Sequence, residues 1–308
     1  MRACFAEKGV CRKVAPIDIA GTLTSQAPAR PPARIMPTLP ADITIRDLAT
    51  QADYDACVAL QDDTWGHGFS ERVPAAILRC AQKVGGVSAG AFDRNGRLLG
   101  FVFGMTGIRD GVLVHWSDML AVRPEAQGLQ LGMQLKQFQR DAVGRVGVRT
   151  MFWTADPLVA RNAHFNINHL GAFPAEYVEN MYGEQTGSVL HGSMPTDRVV
   201  YRWRLDDDAS PGNRSGGALP DDEQLPAATT VLADGTPVAL PTRDASEVRI
   251  HVPNDLSQTQ AQGMDRARAW RLTVRSAFTQ RLAQGFIVTR FVRGRSDALP
   301  YYVLAAPR

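Results

Sequence analysis

The chain has 308 residues, 44% of them hydrophobic and 21% charged, which is the composition of an ordinary globular protein. Its formal net charge of +3 is too small to indicate binding to nucleic acid or to an anionic membrane surface. No apolar run approaches the ~20 residues that span a bilayer, and the four cysteines lack the spacing of a redox pair or a metal site. We therefore expect a cytoplasmic protein with reduced thiols and no bound metal.

The first 41 residues differ in composition from the rest. Residues 1–40 hold six basic residues against two acidic ones, with a Pro/Ala/Arg cluster at 27–34. Such a segment cannot bury a core, so we expect residues 1–41 to be a disordered tail. An arginine-rich start is also typical of an organelle-targeting peptide. The interpretation we prefer is an upstream extension, with Met36 as the start of the protein.

Residues 42–206 have the patterns of mixed strands and helices. Alternating apolar residues predict strands at 43–48, on both sides of the hairpin signal Asn95-Gly96 within 87–105, and at 112–122, 148–155 and 199–205. Cap residues and helical spacing predict helices after Thr50, at 73–84, after Gly128 and from Asp156-Pro157 to Gly171. These elements are enough for one domain.

The remainder of the chain is smaller. Residues 207–227 are rich in Asp, Gly, Ser and Pro and predict a linker. Residues 228–308 predict a C-terminal α/β subdomain with a hairpin at Asp234-Gly235, strands at 247–252, 285–292 and 300–306, and a long helix at 256–284. This part is too small to be an enzyme alone, and we expect it to pack on the first unit.

The segment Gln127-Gly-Leu-Gln-Leu-Gly132 lies between a predicted strand and a predicted helix. The first N–H groups of a helix have no partner within the helix and carry a partial positive charge, so they can bind an anion. Glycines there allow a phosphate to approach the backbone. Taken alone, the segment is equally typical of an ordinary helix start.

The order of these elements, with V-x-P-x-x-Q-G-x-x-x-G at 122–132, resembles the GNAT superfamily of acyl-CoA N-acyltransferases. The resemblance implies a mixed, mostly antiparallel sheet flanked by helices and a loop at 127–132 that holds the pyrophosphate of coenzyme A. Gln127, Gly128 and Gly132 match the family pattern, whereas Gln130 replaces its middle glycine. A side chain there is tolerated at helical angles and costs about 1 kcal/mol or more if φ is positive.

A second motif narrows the resemblance. WTADPLVARNAHFN at 153–166 is similar to a bacterial GNAT subgroup that carries W-T-x-D-P-L-x-x-R-N-A-x-x-N and a C-terminal extension, and in which some members act on amino acids. The resemblance implies that acyl-CoA contacts the residues of the strand end, the loop and the following helix. These residues are Leu120, Ala121, Val122, Gln127, Gly128, Leu129, Gln130, Leu131, Gly132 and Asn162.

Three residues are candidates for acid–base chemistry. By strand alternation, Asp118 shares a face with Val114, Trp116, Leu120 and Val122, so its pKa can be raised and it can act as a general base. The alternative is a solvated acid at the end of a sheet. The subgroup carries a histidine there, and Ile167 stands where the family has its proton-donating tyrosine. Tyr177 and Tyr182 are therefore candidates for the acid.

Three further residues are candidates for binding the acceptor. Arg161 and Asn166 are part of the subgroup motif, and Arg198 lies in PTDR at 195–198. Either arginine can pair with a substrate carboxylate. For Asp156 the simplest role is a helix N-cap.

We read the chain as an acyl-CoA-dependent N-acyltransferase that moves an acetyl or succinyl group to a small-molecule amine, with an amino acid as one acceptor class. Its co-substrate is acetyl-CoA or succinyl-CoA, and a homodimer is an assembly that the resemblance allows. The alternative is a non-catalytic acyl-CoA-binding or regulatory module, which the departures at Asp118, Gln130 and Ile167 favour.

Overall fold

The computed structural model describes residues 39–183, 186–190, 194–206, 225–231, 236–240, 245–294 and 298–307. Most of the predicted tail at 1–41, most of the predicted linker at 207–227 and the Asp234-Gly235 turn lie outside the described residues. The residues from Pro37 onward form one compact unit. The division into a domain at 42–206 and a subdomain at 228–308 stays a prediction.

Within the described residues, seven strands form one mixed sheet. The strands are β1 Ile43–Asp47, β2 Val87–Asp93, β3 Leu98–Arg109, β4 Val112–Val122, β5 Thr150–Ala155, β6 Phe173–Val178 and β7 Arg198–Arg204. Their order in the sheet is β1-β2-β3-β4-β5-β7-β6. Neighbours are antiparallel except β4 and β5, which are parallel. The predicted mixed, mostly antiparallel sheet is confirmed.

Helices cover both faces of this sheet. They are α1 Gln51–Trp65, α2 Ala75–Lys83, α3 Leu131–Arg145 and α4 Ala160–His164, which continues as a π-helix over Phe165–Leu170. One core lies between the sheet and α1 and α2, and a second lies between the sheet and α3 and α4. The predicted start of α1 is confirmed as a capping box, since Thr50 accepts from the N–H of Asp53 and Asp53 accepts from that of Thr50.

Two helix predictions are wrong in detail. The helix predicted from Asp156-Pro157 begins at Ala160, with Val159 as its N-cap, because Asp156 accepts from the N–H of Leu158 in a turn that precedes the helix. The helix predicted over 256–284 is two helices, α5 Leu256–Gln262 and α6 Met264–Ala283, separated at Gly263. The sequence pattern gave no signal for β6, a short strand at the edge of the sheet.

The C-terminal part adds two small sheets. Its strands are β8 Thr229–Val231, β9 Pro237–Ala239, β10 Glu247–His251, β11 Ile287–Val292 and β12 Tyr301–Ala305. The pair β8-β9 is antiparallel, and β10-β12-β11 form a three-stranded sheet. Helix α6 packs on both β6 and β10, and the core under α3 and α4 continues into this region. Among the described helices, none combines the length and the apolar character that crossing a membrane requires.

Candidate active site

The sheet opens between β4 and β5. The two strands pair at His115↔Met151 and Trp116↔Phe152 only, although β4 continues to Val122 and β5 to Ala155. Beyond Trp116 the backbone groups of β4 that face β5 therefore have no ladder partner within the described strands. The result is a cleft in the sheet, bordered by the second half of β4.

A β-bulge shapes the cleft. Phe103 pairs with Met119 and Gly104 with Ser117, so Asp118 is an extra residue in β4. The bulge reverses the alternation of side chains. Leu120 and Val122 pack in the core under α3 and α4, while Met119 and Ala121 lie in the core under α1 and α2. The expectation that Leu120 and Val122 share the face of Asp118 is therefore wrong.

Asp118 is the extra residue of this bulge and is exposed to solvent. The protein around it still removes enough water to raise the pKa of its carboxyl group. A hydrogen bond from the Trp116 side chain opposes this effect, and the negative charge of Glu71 adds to it. Asp118 thus combines access to solvent with a raised pKa, which are the properties of a general base.

Tyr182, the second predicted catalytic residue, hydrogen-bonds a residue of β5 and contacts Arg198. Its hydroxyl is 3.0 Å from Oγ1 of Thr154 in β5, and the guanidinium carbon of Arg198 is 5.2 Å from its ring centroid. Burial raises the pKa of Tyr182, and the charge of Asp118 contributes to the increase. Tyr182 therefore keeps its proton at neutral pH. The two predicted catalytic residues are therefore within electrostatic reach of each other.

Tyr177 has a different environment. Its hydroxyl donates to Oδ2 of Asp197 at 2.7 Å, and its ring stacks on Phe278 of α6 at 5.5 Å between centroids. Burial, together with the charge of Asp197, raises the pKa of Tyr177 far above its ordinary value. The hydroxyl proton of Tyr177 is held in the hydrogen bond to the buried carboxylate of Asp197. This favours a structural role for Tyr177 in the packing of α6.

The predicted substrate residues separate into three positions. Arg161 is exposed in the first turn of α4, beside the equally exposed Asn162, which was predicted to bind acyl-CoA. Asn166 is buried, and its side-chain oxygen accepts from the indole N–H of Trp153 at 3.2 Å. Arg198 is buried near Asp156, with 3.9 Å between the charged atoms, and donates to the carbonyl of Asp197. The placement of Asn166 favours a structural role.

Asp156 is the centre of a buried ion pair. Both of its oxygens accept from Arg271 of α6, at 2.8 and 2.5 Å, and Oδ1 also accepts from the N–H of Leu158. A pocket of about 10 Å³ adjoins this pair and is lined in part by Arg198 and Met194. The C-terminal helix α6 therefore supports the residues that follow β5.

The loop 127–132 connects the cleft to α3. Gly128 has φ of 88°, and Gln130 is the N-cap of α3 with φ of 60° and ψ of 18°. Gln127 through Gln130 are exposed, while Leu131 is buried and anchors the helix start. Gln130 thus requires the left-handed conformation, the more costly of the two outcomes expected from the sequence.

Within the part of the chain that the structure describes, the N–H groups at the end of this loop are available for a ligand. Among the described residues, none of the N–H groups from Gly128 to Gly132 donates to a protein acceptor. A left-handed residue followed by a helical one turns successive N–H groups toward one point, which is an anion-binding arrangement. A Cβ on Gly132 would lie 3.7 Å from Leu120, so the loop adjoins the cleft.

Sequence reasoning missed a buried polar pair at the base of the cleft. Lys136 of α3 donates to Ser117 of β4 at 2.7 Å, and both side chains are buried. Lys136 and Gln139 interrupt the apolar positions of α3 on its buried side, and this interruption is the sign of the pair in the sequence.

The buried Cys57 is not a nucleophile. Burial raises the pKa of its thiol to about 12, so this cysteine is unreactive.

No protein-family model matches the sequence, and no curated protein does either. Among solved structures, the chain is similar to an N-acetyltransferase from Staphylococcus aureus Mu50, at 18% identity and a TM-score of 0.43 over 54% of this chain and 99% of that one. The ribosomal-protein-S18-alanine N-acetyltransferase from Escherichia coli has 19% identity and a TM-score of 0.41, over 53% of this chain and 94% of that one. A chain of the NatC complex bound to Gag peptide and CoA has 15% identity and a TM-score of 0.42, over 53% and 98%.

The architecture of this chain is described by its own sheet and helices. A mixed sheet that opens between its two parallel strands is followed by a glycine loop and a helix. A mixed, mostly antiparallel sheet flanked by helices is the fold class that the sequence predicts.

Proposed function

We propose that this protein is an acyl-CoA-dependent N-acyltransferase with a small-molecule amine as acceptor. The observation that carries the proposal is the row of unused N–H groups from Gly128 to Gly132, at the N-terminus of α3 and beside the cleft. Backbone donors at a helix N-terminus suit the pyrophosphate of coenzyme A. The strand edge of β4 beyond Trp116 suits the extended, amide-containing arm of the same molecule.

Asp118 and Tyr182 supply the acid–base chemistry in this proposal. The N–H near Leu120 or Ala121 stabilises the thioester oxygen as negative charge develops on it. Asp118, directly or through water, accepts the proton that the amine loses as its nitrogen bonds to the carbonyl carbon. Tyr182 donates its proton to the sulfur as the carbon–sulfur bond breaks, so that the products are an amide and a free thiol.

The basicity of the acceptor favours one class of amine. An α-amine has a pKa of about 7.7–8.0, whereas a lysine side chain has one of about 10.4. The α-amine is partly neutral at pH 7–8 and needs a weaker base, which suits a carboxylate such as Asp118. An amino acid or a similar small molecule is therefore the acceptor that we propose, with the exposed Arg161 available to its carboxylate.

The phosphate loop is tested by a pair of matched variants. Gly128→Asp places a negative charge among the N–H groups and should abolish CoA binding in calorimetry while leaving the folded state intact. Gly147→Asp is its control, because both glycines have φ near +88° and open space at the Cβ position. If the two variants bind CoA equally well, the loop has no part in binding.

Turnover is tested separately. Thiol release with acetyl-CoA and succinyl-CoA over a panel of amino acids and other amines should reveal at least one productive pair. Stabilisation by CoA without thiol release from any pair would instead support the non-catalytic binding module. That second candidate is favoured by the departures from the family pattern at Asp118, Gln130 and the buried Ile167.

A further inference from the structure

A buried polar cluster lies where β4 and β5 separate. Lys136 and Gln139 project from one face of α3, since residues three apart on a helix are neighbours. His115 and Ser117 project from β4 toward them. All four side chains are at most 4% exposed. The cluster is on the opposite side of β4 from Asp118.

The position of Lys136 marks the base of the cleft. Its ammonium donates to Ser117 at 2.7 Å and lies 3.9 Å from the ring centroid of Trp153. Ser117 and Trp153 are the first residues beyond the last β4–β5 pair, Trp116↔Phe152. The ammonium therefore bridges the two strands at the point where the cleft begins.

The charge of this ammonium is not balanced by the protein. Burial lowers the pKa of Lys136 to about 7, and no carboxylate among the described residues opposes that effect. Burying a cation without an anion is costly. The neighbouring His115 adds no second positive charge, because burial and the charge of Lys136 lower its pKa to about 3 and keep it neutral.

Further polar atoms in the cluster have no partner. Both side-chain polar atoms of Gln139 and Nε2 of His115 are buried without a hydrogen bond within the described residues. Both nitrogens lie within 2.8 Å of the place that a Cβ at Gly104 would occupy, so only glycine fits there. Buried polar groups are almost always paired in folded proteins. An ammonium, a hydroxyl and an amide N–H together are the donors that a carboxylate requires.

We propose that this cluster binds the distal carboxylate of the acyl group, so that the donor is succinyl-CoA or a similar short acyl-CoA with a terminal carboxylate. The inference rests on the proposed function, which places the thioester near Leu120. From Leu120 to Ser117 the strand advances by about 10 Å, less the shortening at the bulge. A four-carbon chain with a terminal carboxylate extends toward the cluster along that path, whereas an acetyl group leaves the ammonium unpaired.

The test compares the binding of CoA, acetyl-CoA and succinyl-CoA by calorimetry. The wild-type protein should bind succinyl-CoA on the order of tenfold more tightly than acetyl-CoA, as expected for a charge-assisted pair. Lys136→Met should remove this preference and leave CoA affinity unchanged. Lys83→Met, the same change at an exposed lysine, should keep the preference.

A second measurement covers the case in which Lys136→Met does not fold. The sequence has four lysines, Lys8, Lys13, Lys83 and Lys136, so their ¹³C-methylated amines can be resolved by NMR in the wild-type protein. Saturating succinyl-CoA should raise the pKa of Lys136 by about one unit or more, while acetyl-CoA should not. Equal effects of the two acyl-CoAs overturn the inference and leave the proposed function standing. A failure of CoA itself to bind overturns the proposed function first.

Discussion

The burial and the contacts of Lys136 are apparent only in the three-dimensional structure. In the sequence it is one of many charged residues on an amphipathic helix, where a solvated position is the usual outcome. In the structure it is 4% exposed and contacts Ser117 and Trp153 from two different strands. Asp118 is the opposite case, since its raised pKa is the property expected from the sequence. Of the four apolar neighbours expected on its face, Leu120 and Val122 lie on the other face because of the bulge.

The pKa of Lys136 predicts a pH dependence of stability. It is about 7 in the folded protein and about 10.4 in an unfolded chain. The unfolded state therefore holds more protons between these values, and stability rises as pH increases from about 7 to 10, by up to ~1.4 kcal/mol per pH unit. Lys136→Met should lack this increase. Denaturant unfolding at pH 7, 8 and 9 measures the difference, and parallel curves for the two proteins would contradict the assigned burial.

At the scale of elements, the predictions are correct where all the residues that determine an element are close together in the sequence. The T-x-x-D spacing predicts α1, and both bonds of its capping box are present. The apolar alternation gives β4 its bounds, 112–122. The bulge at Asp118 has no such signal, because it depends on the pairing with β3. The helix predicted to start at Pro157 begins at Ala160, and the Asp156 carboxylate, besides accepting from the N–H of Leu158, pairs with Arg271, 115 residues away. Local spacing cannot report a partner so distant in sequence.

The start of α3 carries a testable strain. Gln130 has φ of 60°, which costs a residue with a Cβ about 1 kcal/mol relative to glycine. Gln130→Gly should therefore increase the free energy of unfolding by about 1 kcal/mol and retain CoA binding, because the backbone N–H remains. Gln137→Gly is the control within the same helix and should decrease it by about 1 kcal/mol. A decrease for both variants would show that Gln130 makes a contact that outweighs its strain.

At the scale of the whole molecule, buried ion pairs join the C-terminal part to the candidate site. Arg271 pairs with Asp156, Arg275 pairs with Asp197, and the hydroxyl of Tyr302 donates to the carbonyl of Pro157. The acids lie beside the proposed site, both arginines belong to α6, and Tyr302 belongs to β12. The sequence predicted that this part packs on the first unit. It did not predict that the contact is made by charges, since which residues meet depends on the fold of both parts.

Breaking the first of these pairs should have a large effect. Arg271→Met removes both hydrogen bonds between Asp156 and its main partner and leaves only Arg198, 3.9 Å away, which should decrease the free energy of unfolding by about 3–5 kcal/mol in denaturant titrations. The double variant with Asp156→Asn should recover part of this loss, because the buried side chain at position 156 is then no longer charged. Arg266→Met, at an exposed position of the same helix, should change stability by less than about 0.5 kcal/mol. Equal losses for the single and double variants would show that Arg271 acts through packing alone.

The early end of the β4–β5 ladder has a consequence for solubility. Unpaired strand edges at the border of a sheet attract the strands of other molecules and promote aggregation. In this protein the unpaired edge lies in the interior of the sheet, with α1 packed on one face of β4 and α3 on the other. A neighbouring protein strand cannot reach it, whereas a slender extended molecule can enter between the strands. The unpaired backbone groups of β4 are thus accessible to a slender ligand and inaccessible to the strands of other protein chains.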